Sequence, residues 1–149
     1  MRHRLHNRLP RWHRRAIYAL TLLLIVSGLG WLVVVYLFAP AGEITPAPHR
    51  LAGPLLAAHG IAGYAALIAY ALVGHGHMRT GWRMPGLRSA GFRLAAAIAV
   101  LALTGLGFYY VATESMIPFL RWTHVAAGIL LPWWLALHIA RGRHRTLRS

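Results

Sequence analysis

The chain contains no cysteine. That excludes disulfides, iron–sulfur clusters, thiolate catalysis and covalent cofactor attachment through a Cys-x-x-Cys-His motif. Carboxylates are almost as scarce, with Glu43 and Glu114 the only two acids among 149 residues. Neither falls within an apolar run, so the carboxylate proton relay that pumps carry through the bilayer is excluded as well. All 16 basic residues are arginine. Gly-rich phosphate loops, nucleophile elbows and zinc-type ligand spacings are also missing. The chain has no hydrolytic or phosphate-handling machinery of its own.

What is present is apolar. Hydrophobic residues make up 58% and charged residues 12%, and the mean hydropathy is +0.51. This is the composition of a membrane protein. Four runs, roughly 16–38, 51–73, 94–112 and 117–140, reach the ~20 residues needed to cross a hydrocarbon core. Pro40, Pro46 and Pro48 break the first connection, and Gly81, Pro85 and Gly86 punctuate the second. A net charge of +14 would suggest nucleic acid in a soluble domain, but the arginines are placed otherwise. Fourteen of them precede the first run, lie between the second and third, or follow the fourth. Each remaining connection balances one Arg against one Glu, Arg50 with Glu43 and Arg121 with Glu114. The positive-inside rule then predicts both termini in the cytoplasm. The first run is too long for a signal-peptide core and is expected to be retained. The expected fold is all-α: a single integral membrane domain over 1–149, an up-down four-helix bundle with basic tails at 1–12 and 142–149. A multi-pass membrane protein, in contact with the lipid bilayer and not with nucleic acid, is expected.

The fourth run carries His124 and His138, fourteen residues apart. In a helix that is a rise of ~21 Å and a net rotation of ~40°. Both imidazoles look out from nearly one face, one in each half of a bilayer. Intramembrane histidines are expensive and functional by default, and a neutral imidazole is a good ligand for haem iron.

An internal repeat supplies the opposite ligands. Ser27-Gly28-Leu29-Gly30-Trp31 in the first run matches Thr104-Gly105-Leu106-Gly107-Phe108 in the third. His59-Gly60-Ile61-Ala62-Gly63 in the second matches His124-Val125-Ala126-Ala127-Gly128 in the fourth. Small residues serve close helix packing in membranes. Their pairing with histidine gives Gly28, Gly63, Gly105 and Gly128 a further reading, as places where a porphyrin lies against bare backbone. His59 and His124 fall at similar depth in the outer leaflet and form the expected axial pair of an outer haem. For the inner haem His138 is one ligand and three histidines compete for the other. The repeat's equivalent of His138 is Val73. His75 is rotated by ~160° from His59, whereas His77 returns to its face but lies ~27 Å further along, deeper than His138. His13 opens the first run beside Trp12, and serves only if the helix begins a turn before the apolar stretch. Pro132 cannot donate to the carbonyl of Gly128, so a bend is expected there. Trp133 and Trp134 are candidates to pack between the haems.

With these residues in place the chain resembles the four-helix dihaem cytochromes b, namely the bacterial cytochrome b561 family and the cytochrome b subunits of formate dehydrogenases and nickel–iron hydrogenases. The resemblance covers all four helices and rests on ligand placement and glycines. It implies two non-covalent haems b, with His59 opposite His124 and His13 opposite His138. Two departures stand out. Arg14 replaces the family's aromatic residue after the first-helix histidine, and the loop before the fourth helix is very short. The resemblance further implies single-electron transfer between a quinone or quinol and a partner or small oxidant. The chain would act as an electron-transfer subunit, beside a soluble or membrane oxidoreductase subunit, more than as a self-contained enzyme. His75, His77 and Arg79, with Trp82, are candidates for a quinone head-group site. Two other classes stay open: a haem-free membrane protein whose histidines handle metal ions or protons, and an assembly or scaffold subunit built on glycine-mediated packing.

Overall fold

The computed structural model describes residues 10–38, 49–82, 85–111 and 113–146, with backbone alone at 75, 76, 78–82, 85–87 and 143–146. Among the described residues every regular element is a helix: α1 (Arg11–Leu37), α2 (Ala52–Trp82), α3 (Pro85–Tyr110) and α4 (Ile117–Thr146). Each is long and apolar enough to cross a membrane, over Arg11–Leu37, Ala52–Gly74, Arg88–Tyr110 and Ile117–Gly142.

Local chemistry sets the ends. Pro10 precedes α1 in extended conformation and its carbonyl accepts the Arg14 amide at 3.2 Å. A proline there gives up no helical hydrogen bond. Before α2 the His49 carbonyl accepts Ala52 N–H at 2.8 Å, while His49 Nδ1 accepts Leu51 N–H at 3.2 Å. Pro85 occupies the first position of α3, where its missing N–H is harmless. The turn into α4 closes on the Thr113 carbonyl, which accepts Met116 N–H at 2.9 Å and Ile117 N–H at 3.1 Å.

The helices overrun the apolar runs, chiefly at their arginine-bearing ends. α1 starts five residues before position 16, α2 continues nine beyond 73, α3 starts nine before 94 and α4 continues six beyond 140. Hydropathy marks only the stretch apolar enough to cross a membrane. Arginine is a good helix former, and its long stem lets the charge reach the interface while the backbone stays helical. Pro85 and Gly86 therefore begin a helix instead of punctuating a loop, and α4 passes through Pro132. Pro40, Pro46 and Pro48 lie outside the described residues.

Burial is inverted relative to a soluble protein. Ala62 and Ser27 are 1% and 2% exposed, while Ile61 is 71%, Leu72 69% and Leu103 68% exposed. The buried positions are mostly Ala, Ser and Thr, with Ile17, Val34 and Leu131 beside them, and the exposed ones are Leu, Ile, Val and aromatics. Without a hydrophobic drive between helices, small residues win the contact because they let backbones approach. An apolar surface this extensive is one that lipid solvates.

The chain divides into two compact units, Arg8–Val73 and a second covering Gly74–Ser149, with the division inside α2. In the first, α1 and α2 run antiparallel. Tyr70 meets Thr21, hydroxyl to hydroxyl at 3.1 Å, and the Thr21 hydroxyl also donates to the Ile17 carbonyl. In the second, α3 and α4 run antiparallel in one steady register. Gly107 meets Leu120, Gly105 meets His124, Gly128 meets Leu101 and Gly91 meets His138. Ala90, Ala97 and Thr104, seven residues apart on α3, are all buried. His124, Leu131 and His138 repeat that spacing on α4, the seven-residue period of closely packed antiparallel helices.

Candidate functional site

In the first unit His59 is seated by two groups of α1. Its Nδ1 lies 3.0 Å from the Leu24 carbonyl and 3.2 Å from Ser27 Oγ. A carbonyl only accepts, so Nδ1 carries the proton. The Ser27 hydroxyl is itself directed back along α1, donating to the Leu23 carbonyl at 2.6 Å, which leaves its oxygen to accept. The imidazole therefore has its lone pair on Nε2. Gly28 makes room for the ring, because a Cβ there would stand 3.0 Å from His59 Cε1 and 3.1 Å from Nδ1.

The second unit repeats the arrangement. Thr104 Oγ1 donates to the Val100 carbonyl at 2.7 Å and lies 2.8 Å from His124 Nδ1. With the hydroxyl proton so engaged, Nδ1–H is the donor and Nε2 again carries the lone pair. The point where a Gly105 Cβ would sit is 3.8 Å from His124 Cε1, ordinary contact in place of a tight fit. Phe108 meets the same ring edge-on, with centroids 6.1 Å apart.

The other end of α3 and α4 is built on the same register with one group missing. Gly91 lies under His138 as Gly105 lies under His124, its Cβ position 3.8 Å from His138 Cε1. The residue before it, fourteen before Thr104, is Ala90. His138 Nδ1 is buried without a hydrogen-bond partner. The end of α2 brings His77 against it, the ring centroids 5.8 Å apart at 69°, and His77 Nδ1 is likewise buried and unpartnered. Burial pushes the His77 imidazole below its ordinary pKa, which keeps it neutral, with a lone pair, at neutral pH. His77 is thus not beyond the reach of His138, as its distance along α2 suggests. Because α2 runs unbroken to Trp82, it carries His77 to the same end of the unit as His138. Arg93 and Arg141 line a small cavity there with Ala90, Trp134 and Leu137.

His13 lies within α1, which starts at Arg11, as an axial role for it requires. Its ring stacks on Trp12 with centroids 3.5 Å apart, and its buried Nδ1 has no partner. Among the described residues nothing lies within 4 Å of a Cβ position on Gly63, and Leu101 Cδ2 lies 3.9 Å from that on Gly128. The side chains of His75, Arg79 and Trp82 lie outside the described residues.

The residues that sequence reasoning passed over are Ser27 and Thr104. They read as small members of a packing repeat, whereas their hydroxyls fix the tautomer of both histidines. The signal was a hydroxyl residue directly before each glycine, aligned with each histidine. Comparison with protein-family models, with curated proteins and with solved structures finds no match for this chain.

Proposed function

We propose that the chain is a membrane b-type dihaem cytochrome, a carrier of single electrons between the two membrane surfaces. The observation that carries this reading is the twofold seat of an imidazole: a back-bonded hydroxyl, a helix glycine and a histidine with Nδ1 engaged. Metal-ligating histidines donate their other ring N–H to such a partner, which orients the ring and leaves Nε2 for the metal. The arrangement occurs twice, at His59 and at His124.

His59 and His124 would hold one haem and His138 one face of the other. His77 and His13 compete for the remaining position. The contact of the His77 and His138 rings, with centroids 5.8 Å apart, supports His77, whereas His13 follows the pattern of the resembled families. Haem b, when bound, supplies reversible one-electron chemistry. The chain's own residues orient the imidazoles, exclude water with Leu and Ala, and place arginine charge near one site. The open space at Gly63 supports a flat macrocycle resting on backbone. An apolar groove of about 260 Å³ between α3 and α4, with Arg93 near Ala97, Leu130 and Trp134, supports exchange with a lipid-soluble quinone. The arginine distribution supports cytoplasmic termini, and the resemblance to the dihaem cytochromes b supports a bacterial inner membrane and an oxidoreductase subunit as partner.

One observation favours a second reading. Two facing imidazoles with unpartnered nitrogens, His77 and His138, also suit a metal ion or a proton in a haem-free protein. Haem content of purified variants separates the two. In the cytochrome, His59→Ala and His124→Ala each halve the haem, and one of His13→Ala and His77→Ala does the same. In the alternative no variant changes a haem content that is already zero.

A further inference from the structure

We propose that Ser27 and Thr104 are positioning residues that hold one haem site at a lower reduction potential than the other. Their absence at the His138 end then sets the direction of electron flow. The inference rests on the dihaem reading and adds to it a driving force.

The two ends of the α3–α4 unit share one register but differ in the residue before the glycine, Thr104 at one end and Ala90 at the other. Thr104-Gly105 faces His124 and Ala90-Gly91 faces His138, with both glycine Cβ positions 3.8 Å from the respective Cε1. At one end Thr104 Oγ1 receives Nδ1–H at 2.8 Å, and at the other Nδ1 has nothing to bond. The contrast holds whether His77 or His13 opposes His138, because among the described residues the Nδ1 of each is also buried without a partner. His59, by contrast, has both Ser27 and the Leu24 carbonyl. His59 and His124 are each hydrogen-bonded at Nδ1, and His138, His77 and His13 are not.

An imidazole donating through Nδ1–H gains electron density on the ring and becomes the stronger donor to iron. A stronger donor stabilises the more positive, oxidised iron and lowers the potential. A bare imidazole does so less. Arg93 and Arg141 near Ala90 act in the same sense, since positive charge favours the reduced, less positive iron. Both effects make the His138 site the better electron acceptor. Electrons therefore pass from the His59–His124 pair toward the arginine-rich end.

Potentiometric titration of the haem-loaded protein tests this, with Thr104→Val, Thr104→Ser and Ala90→Thr beside the wild type. A tenfold change in the preference for one oxidation state is ~59 mV for a one-electron couple. Thr104→Val is expected to raise the lower midpoint by about that much, Thr104→Ser to restore it, and Ala90→Thr to lower the higher midpoint. Nitrogen-15 spectra of the haem-free protein supply a readout independent of the cofactor. His124 is expected as the Nδ1–H tautomer, and as a mixture once Thr104→Val removes the acceptor. Unchanged midpoints in a haem-loaded Thr104→Val protein overturn the inference alone. So does an Nε2–H tautomer at His124 in the wild type. Failure of the wild type to retain haem overturns the dihaem reading, and the potential assignment falls with it.

Discussion

The two ends of the α3–α4 unit are the same structure with and without a hydroxyl. Thr104, Gly105 and His124 form a complete seat, and Ala90, Gly91 and His138 form its outline. Glycine and register repeat, and burial of the small residue repeats, since Thr104 and Ala90 are 6% and 5% exposed. The hydroxyl acceptor is lost, and His77 stands against His138 where Phe108 stands against His124. Packing alone would not distinguish them, because alanine and threonine both satisfy a close helix contact. The difference teaches that the hydroxyl answers a need of the imidazole and not of the helices. An imidazole with a fixed tautomer is a ligand of defined geometry, and one without it takes its geometry from the ring or metal opposite.

The comparison can be broken most severely by removing a ligand. His124→Ala should take haem content from two per chain to one, as measured by haem extraction against protein, while His49→Ala, an exposed-loop change, leaves it at two. Next in size is Gly28→Ala, whose methyl would stand 3.0 Å from the His59 ring. Overpacking of this kind costs ~1–3 kcal/mol, and the ring must leave the Ser27 hydroxyl. Lower thermal stability in detergent and loss of the haem at that site are expected together. Gly105→Ala, at 3.8 Å, should be tolerated; equal damage from the two would show that glycine serves helix packing and not the ring.

Thr104→Val comes next. It leaves a buried Nδ1–H unsatisfied, for which ~1–3 kcal/mol of destabilisation is expected. Ala90→Ser should move stability the opposite way, by up to ~1 kcal/mol, by giving His138 the acceptor it lacks. Thermal unfolding of both variants checks the signs, and a destabilising Ala90→Ser would mean that the bare end is filled for another reason. The smallest effect belongs to Tyr70→Phe, which removes the 3.1 Å link to Thr21. Interhelical hydrogen bonds in membranes average ~0.6 kcal/mol, so a shift near that value and no change in haem content are expected.

Four helices, their apolar character and the repeat that gives Ser27-Gly28 with His59 and Thr104-Gly105 with His124 were legible in the sequence, because hydropathy and a repeated motif survive without any knowledge of packing. The helix ends were not. Arg11, Arg79 and Arg141 look like loop to a hydropathy count, yet their backbones are helical, and position relative to lipid is a property of the guanidinium and not of the chain. For the same reason the meeting of His77 with His138 was hidden: it depends on α2 continuing past Gly74. Ser27 and Thr104 were visible as residues but not as hydrogen-bond partners, since size and chemistry predict the same small residue at a helix contact. Only the back-bonding to Leu23 and Val100 tells the two roles apart.

The most direct test of the central claim is the reduced-minus-oxidised absorption spectrum of the purified full chain, taken with its haem-to-protein ratio. The cytochrome reading predicts a b-type α-band, two haems per chain, and low-spin iron throughout from paired imidazoles. A protein that purifies folded from the membrane with no α-band and no haem would contradict it.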